Sequence, residues 1–184
     1  MNLAQTMMVI AGLAILGILA LNANRTMLES NDTQNISEFG INAVSLATSL
    51  VEEANGKMFD QVIADSTTGD LSVPGQLSAS LGKESGEGYR AGVNDFNDFD
   101  DFNDLFLAYK SPVDSAIVTG ANKDVIVPGM RALYYVRARV QYVSDTNLDS
   151  VVAFRTWHKR IMVTVTSPAI RDTLRYPSVM SYWN

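Results

Sequence analysis

The first charged side chain in this sequence is Arg25. Before it, from Leu3 to Leu21, only Gln5 and Thr6 are polar, and Met7 to Leu21 reads MMVIAGLAILGILAL. As an α-helix the Leu3–Leu21 stretch is about 28 Å long at ~1.5 Å per residue, close to the hydrocarbon thickness of a bilayer. It is apolar on every side, so it needs cover on every side, from lipid or from protein. Nothing basic precedes it, whereas a secretory signal peptide carries a basic region before its apolar core, so removal is not expected. A wholly apolar helix at a chain terminus is also a poor core helix for a soluble domain of this size.

The pattern continues beyond the apolar run. Residues 22–35 are polar and contain no proline to stop a helix. Ile36, Phe39, Ala43, Ala47, Leu50, Ala54 and Met58 then recur at spacings of three and four, an amphipathic stripe of about six turns. A helix from residue 2 to about 58 is roughly 85 Å long. Its first half needs burial everywhere and its second half on one face only. Gly12 and Gly17 interrupt the apolar half, each costing about 1 kcal/mol relative to Ala. They mark either close helix–helix packing or weak points where the helix can unwind.

Apolar residues make up 47% of the chain and charged residues 18%, enough for one globular domain plus an extended element. Charge is unevenly spread. Residues 1–110 hold 15 acids and 5 bases, and residues 111–184 hold 5 acids and 9 bases. A chain acidic in one part and basic in another can attract copies of itself. The pI near 4.7 argues against nucleic acid as the main partner. With no cysteine, disulfides and thiolate metal sites are excluded. The single histidine, His158, excludes multi-histidine metal sites and the usual histidine triads within one subunit. There is no phosphate loop or nucleophile–base pair either, so the sequence points away from an enzyme and calls for no cofactor.

Residues 64–92 are rich in Gly and Ser and hold no sustained period, which predicts a long surface loop. Residues 94–104 read NDFNDFDDFND. Phe96, Phe99 and Phe102 fall on one side of a helix with a three-residue period, with Phe106 nearby, and Asp95, Asp98, Asp101 and Asp104 form a parallel stripe. The plainer expectation is an aromatic anchor docked on the core, with its carboxylates in solvent. The sharper one is a calcium site drawing on Asp95, Asp98, Asp100, Asp101 and Asp104, because hard cations take several carboxylate and carbonyl oxygens. The spacing is not that of an EF-hand.

Leu133 to Val143 alternates almost without fault, placing Tyr134, Val136, Ala138, Val140 and Tyr142 on one face of a half-buried antiparallel strand. A turn over 144–150 leads to a second strand, Val151 to Thr166, whose alternation slips around Arg155–Arg160 as at a bulge or bend. A third strand is expected near Val179–Trp183, with short ones near Ile117–Thr119 and Asp124–Val127. Arg137, Arg139, Lys159 and Arg160 read as a basic strip on the solvent face, there for solubility and ordinary cross-strand pairing, with contact to the acidic 94–104 segment of another copy as the second reading. His158 reads as structural or exposed. Asn24, Asn31 and Asn35 each begin an N-glycosylation triplet.

One long helix followed by an antiparallel sheet is an α+β arrangement. The organisation expected is an apolar membrane or filament-core helix over 1–24, its amphipathic continuation over 25–60, a variable loop region with the Asp/Phe-rich segment over 61–111, and a sheet head over 112–184. MNLAQTMMVIAGLAILGILAL resembles the mature amino terminus of type IV pilins and type II secretion pseudopilins. That family starts with Phe or Met, a small polar residue, Leu, any residue and Glu, and continues as an apolar helix. Met1, Asn2 and Leu3 match in order, and the apolar run starts at the same offset. The motif covers about 25 residues and the architecture about 58. The resemblance implies a pilin fold, with the sheet packed on the second half of the helix. It also implies a structural subunit of an extracellular type IV pilus-like filament, a homo-oligomer waiting in the inner membrane before assembly and handled by a prepilin peptidase and the pilus assembly machinery. Assembly would fall to Met1, Leu3, Gln5, Met8, Ile10, Leu13, Leu16 and Leu19. The alternatives are a pseudopilin of a secretion machine and a monomeric single-pass membrane-anchored binding domain. The family's fifth-position Glu is Gln5 here. An amide can accept a hydrogen bond from a neighbour's terminal ammonium but cannot neutralise it, so that terminus must be solvated, neutral or paired elsewhere.

Overall fold

The computed structural model describes residues 2–65, 71–113 and 121–183. The chain divides into two compact units, Met1–Gly40 and Ile41–Asn184. In the first unit the chain is helical from Leu3 onward, the start of helix α1 (Leu3–Asn55). An 18-residue window of this helix has a mean hydropathy of 2.2 and none of its residues buried, so α1 is long and apolar enough to cross a membrane. The polar turns that follow carry an Arg25–Glu29 ion pair at 2.9 Å, one helical turn apart.

In the second unit α1 turns one face inward. Ala43, Ala47, Leu50, Val51 and Ala54 are buried against Phe99, Phe102 and the apolar side chains of the sheet. The helix ends at Asn55, earlier than the stripe to Met58 predicts, and Met58 lies outside it and half exposed. The Asn55-Gly56 pair is a poor helix continuation, and the backbone of Met58 has other partners. Its N–H donates to Asn97 O (3.2 Å), and its carbonyl accepts from Phe99 N–H (2.8 Å). This short parallel bridge brings the chain after α1 alongside the Asp/Phe segment. Asp60 then starts the one-and-a-half-turn helix α2 (Gln61–Asp65), its carboxylate accepting from Val62 N–H at 3.1 Å.

Five strands form one sheet: β1 (Phe106–Lys110), β2 (Lys123–Ile126), β3 (Tyr134–Tyr142), β4 (His158–Thr166) and β5 (Leu174–Ser181), in the order β2-β1-β3-β4-β5. The arrangement is α+β, but the sheet is mixed where a purely antiparallel one was expected. β1 pairs with β2 in parallel, Ala108 opposite Asp124, while β1–β3, β3–β4 and β4–β5 are antiparallel. Strand β1 lies within the stretch read as loop. All five of its residues are buried, so it shows no alternation by which a period of two could be recognised. The second strand begins at His158 and not at Val151. Residues 152–157 leave the ladder after a single bridge, Val143 to Val151, and the slipped alternation marks that excursion. The third strand begins earlier than Val179, at Leu174, and carries Pro177 on the outermost strand, where its missing N–H costs no ladder bond. The strand expected near Ile117–Thr119 lies outside the described residues.

Candidate functional site

Strand β4 alternates strictly, with Lys159, Ile161, Val163 and Val165 buried and the residues between them less so. The parity that sends Ile161 inward therefore sends Lys159 inward too. Lys159 is fully buried, which corrects the basic strip on the solvent face. Its ammonium meets Asp60 Oδ2 at 2.6 Å, donates to Phe59 O at 2.9 Å, and approaches Asp100 at 2.7 Å. The rings of Phe59 and Tyr142 lie 4.5 and 5.2 Å from Nζ. Asp60 also accepts from the Ser78 hydroxyl (2.7 Å) and the Ser78 N–H (3.1 Å).

One buried cation thus faces two buried carboxylates. Burial pushes the Asp60 carboxyl up, but Lys159, Ser78 and the Val62 N–H together outweigh it and hold the group below the usual range. For Asp100 burial dominates, the Lys159 charge offsets only part of it, and Asp98 and Asp60 add to the rise, so the group is pushed up to about 8. Of the two carboxylates around Lys159, Asp60 is the one held towards its ionised form and Asp100 the one pushed towards its protonated form. The three segments they join are the chain after α1, the 3-10 turn Asp100–Phe102, and β4.

A second cluster lies in the same segment. Asp98 Oδ1 accepts from the Asp100 and Asp101 N–H groups at 2.7 and 3.1 Å. Asp101 Oδ2 accepts in turn from Asn97 and Asp98 N–H at 2.9 and 3.1 Å. Each carboxylate therefore fixes the other's turn with one oxygen and keeps the second oxygen free. Asp98 Oδ2 and Asp101 Oδ1 are buried without a hydrogen-bond partner, as is Glu84 Oε2. One carboxylate oxygen from each of Glu84, Asp98 and Asp101 lies within 4.8 Å of the other two. Glu87 stands beside them, accepting from Glu84 N–H (3.1 Å) and Asn97 Nδ2 (3.0 Å). Asn97 Oδ1 is a further buried oxygen without a partner. Burial and the neighbouring carboxylates push Glu84 up to about 8 and Asp98 up to about 7. Burial raises Asp101 as well, against the N–H groups that hold it.

The five aspartates read as calcium candidates therefore part company. Asp98 and Asp101 converge, with Glu84 as the residue the sequence did not reveal, since nothing in the loop Lys83-Glu-Ser-Gly-Glu87 has a period or spacing. Asp100 serves Lys159. Asp95 closes a local turn, accepting from Arg90 N–H at 2.6 Å and Phe96 N–H at 2.9 Å, and lies 3.6 Å from Lys57. Asp104 is exposed, with φ +57, and lies away from the cluster. Phe96, Phe99 and Phe102 are the expected aromatic anchor, at 3%, 0% and 0% exposure. The carboxylates of Asp98, Asp100 and Asp101 are buried with them and not in solvent, so they are not displayed for another copy to contact.

On the opposite face of the sheet, Arg137, Arg139, Arg160 and Arg175 line an open groove of about 440 Å³ whose rim includes Asp104. Arg137 sits over the Phe106 ring at 3.7 Å, and Arg160 donates to Asp149 O at 3.0 Å. His158 Nδ1 lies 2.7 Å from the Ser181 hydroxyl and its Nε2 3.7 Å from Asp145, a structural setting.

Of the assembly residues, Leu3, Met8, Ile10, Leu13, Leu16 and Leu19 are all more than half exposed. Met1 lies outside the described residues. Gln5 Oε1 accepts from the Asn2 N–H at 3.4 Å, within its own first turn. A Cβ added at Gly12 or Gly17 would meet nothing within 4 Å. The hydroxyls of the three glycosylation triplets, Thr26, Thr33 and Ser37, each donate to the carbonyl four residues back in α1 at 2.9–3.0 Å. No family model, curated protein or solved structure matches this chain.

Proposed function

We propose that the chain is the structural subunit of an extracellular type IV pilus-like filament that polymerises through bundled amino-terminal helices. What carries the reading is one contrast within α1. Its apolar window has none of its residues buried, whereas Ala43 to Ala54 of the same helix enter the sheet's core. A helix of this kind needs an apolar environment on every side. A membrane provides one before assembly, and neighbouring copies of the helix provide one afterwards. Full burial of a large aliphatic side chain contributes about 1.5–3 kcal/mol. The exposed Leu, Ile and Met residues from Leu3 to Leu21 thus offer ample cohesion without a covalent link. The start Met1-Asn2-Leu3 adds the resemblance to pilins, and with it a prepilin peptidase and pilus assembly machinery as partners. On this reading the sheet faces outward.

The test is a deletion of residues 1–28. The truncated chain is expected to be a soluble monomer that forms no fibres, while the intact chain forms filaments of helical symmetry seen by electron microscopy. Fibres from the truncated chain would refute core-helix assembly. An intact chain that stays membrane-bound and monomeric would favour a single-pass anchored binding domain.

A further inference from the structure

We propose that Glu84, Asp98 and Asp101 form a calcium-binding site that clamps the Lys83–Glu87 loop to the Asp/Phe segment. This does not rest on the filament reading, because the whole site lies within the second unit. An acidic cluster alone would be a weak argument, since carboxylates gather on many surfaces. Here two of the three are buried, Asp98 at 0% and Asp101 at 1% exposure, and each keeps one oxygen that no donor satisfies. Leaving a buried carboxylate oxygen unpaired is costly, and leaving three together is more so.

The hydrogen bonds around the cluster hold its carboxylates in place. Asp98 and Asp101 each use one oxygen to hold the other's turn, and the second oxygen of each is left without a hydrogen-bond partner. Glu84 comes from a different loop, brought alongside by Glu87, which holds Glu84 N–H and Asn97 Nδ2. Among the described residues none of the three carboxylates has an ion-pair partner. The nearest buried cation, Lys159, is engaged by Asp60 and Asp100.

Two things could relieve such a cluster, a proton or a metal ion. The donors are all oxygen, which suits a hard cation such as Ca²⁺ and not the softer Zn²⁺ or Cu²⁺. Oxygens sharing one Ca²⁺ at about 2.3–2.6 Å can stand up to about 5 Å apart, and these lie within 4.8 Å of one another. Mg²⁺ demands a near-ideal octahedron at about 2.0–2.1 Å and gives up its waters reluctantly. Ligands from a Gly- and Ser-rich loop and an irregular turn, with waters filling the remaining positions, fit the looser coordination of Ca²⁺. Glu87 ties the two segments together beside the ligands, through Glu84 N–H and Asn97 Nδ2.

The experiment uses the full chain in detergent micelles, stripped with a chelator and held at pH 7.5. CaCl₂ is added while heat of binding and thermal midpoint are followed. The expected result is one Ca²⁺ per chain, half-saturation at or below about 1 mM, and a midpoint that rises saturably. MgCl₂ should bind at least about tenfold more weakly. Glu84→Gln decides the matter, because the Glu84 carboxylate is not needed to hold either turn. This variant should fold without calcium at least as stably as the parent, and lose the calcium response by about tenfold or more. Asp104→Asn, outside the cluster, should keep the full response. No bound calcium at about 10 mM, an undiminished response in Glu84→Gln, or equal binding of Mg²⁺ would each overturn the assignment.

Discussion

The Lys159 ammonium lies 2.6 Å from Asp60 Oδ2, and both side chains are completely shielded from solvent. These residues are 99 positions apart in sequence, one in the chain after α1 and the other on an inner strand of the sheet. Taking two charges out of water costs several kcal/mol per ion, and only the mutual attraction and the added hydrogen bonds to Ser78 and Phe59 O offset it.

Lys159→Met should therefore destabilise the fold by about 3–5 kcal/mol, because Asp60 is left charged and unpaired in the interior. Adding Asp60→Asn to that variant should recover a large part of the loss. Urea denaturation of the three proteins followed by near-ultraviolet circular dichroism gives the comparison. Equal destabilisation in the single and double variants would show that the charge pair is not the cause.

The aromatic triplet gives a second test. Phe99→Ala removes a side chain with no exposure, and a cost of about 3–5 kcal/mol is expected. Val93→Ala, in the same segment but fully exposed, should change stability by less than about 0.5 kcal/mol. Denaturant midpoints of both variants check this.

Without calcium, stability should fall as pH rises. Glu84, Asp98 and Asp100 have folded values raised to about 8, 7 and 8 from ordinary values near 4. The folded chain therefore holds these protons more tightly than the unfolded chain does. Their contribution is full below about pH 4 and is lost as pH climbs through about 7 to 8. Asp60 works in the opposite sense, since its folded value is lowered and its contribution is lost as pH falls below the ordinary 3.8. Glu84 is partly exposed, and solvent screening reduces its share. Thermal midpoints in chelator should be higher at pH 5.5 than at pH 8.5, and calcium should narrow the difference by supplying the missing positive charge. A midpoint that rises over this range would contradict the assignment of protons to these groups.

Leu13→Asp tests the apolar half of α1. A carboxylate at the centre of a membrane-spanning helix costs about 2.5–3.5 kcal/mol on insertion scales. The variant should shift from membrane to soluble or aggregated fractions on sedimentation. The circular dichroism of its sheet should be unchanged, because Leu13 is exposed and no part of the core.

How far the sequence reveals this structure depends on the residue. The second half of α1 and strands β3 and β4 follow from side-chain period, because each presents one face to the core and the other away from it, although the helix ends before Met58 and β4 starts after Val151. Strand β1 does not, since a strand buried on both faces carries no alternation. The parallel pairing of β2 is settled by contacts between distant segments that no local pattern records. Lys159 was legible in principle, because its parity matches that of Ile161, Val163 and Val165, but the usual preference of lysine for water pointed the other way. For the aspartates, spacing suggested one stripe. The turns at Asp98–Asp101 scatter them among three environments, and Glu84 arrives from a loop without any repeating signal.

The lock between Asp60 and Lys159 also sets a route for mechanical load. Tension drawn along α1 leaves the helix at Asn55, and five residues later the chain reaches Asp60, fastened to β4. Strand β4 is flanked on both sides, by β3 and by β5. The anchor point is therefore an inner strand held by two ladders of hydrogen bonds and not the edge strand. Asp100 and Ser78, from the segments beyond Asp60, hold the same two side chains, so those segments share in the connection.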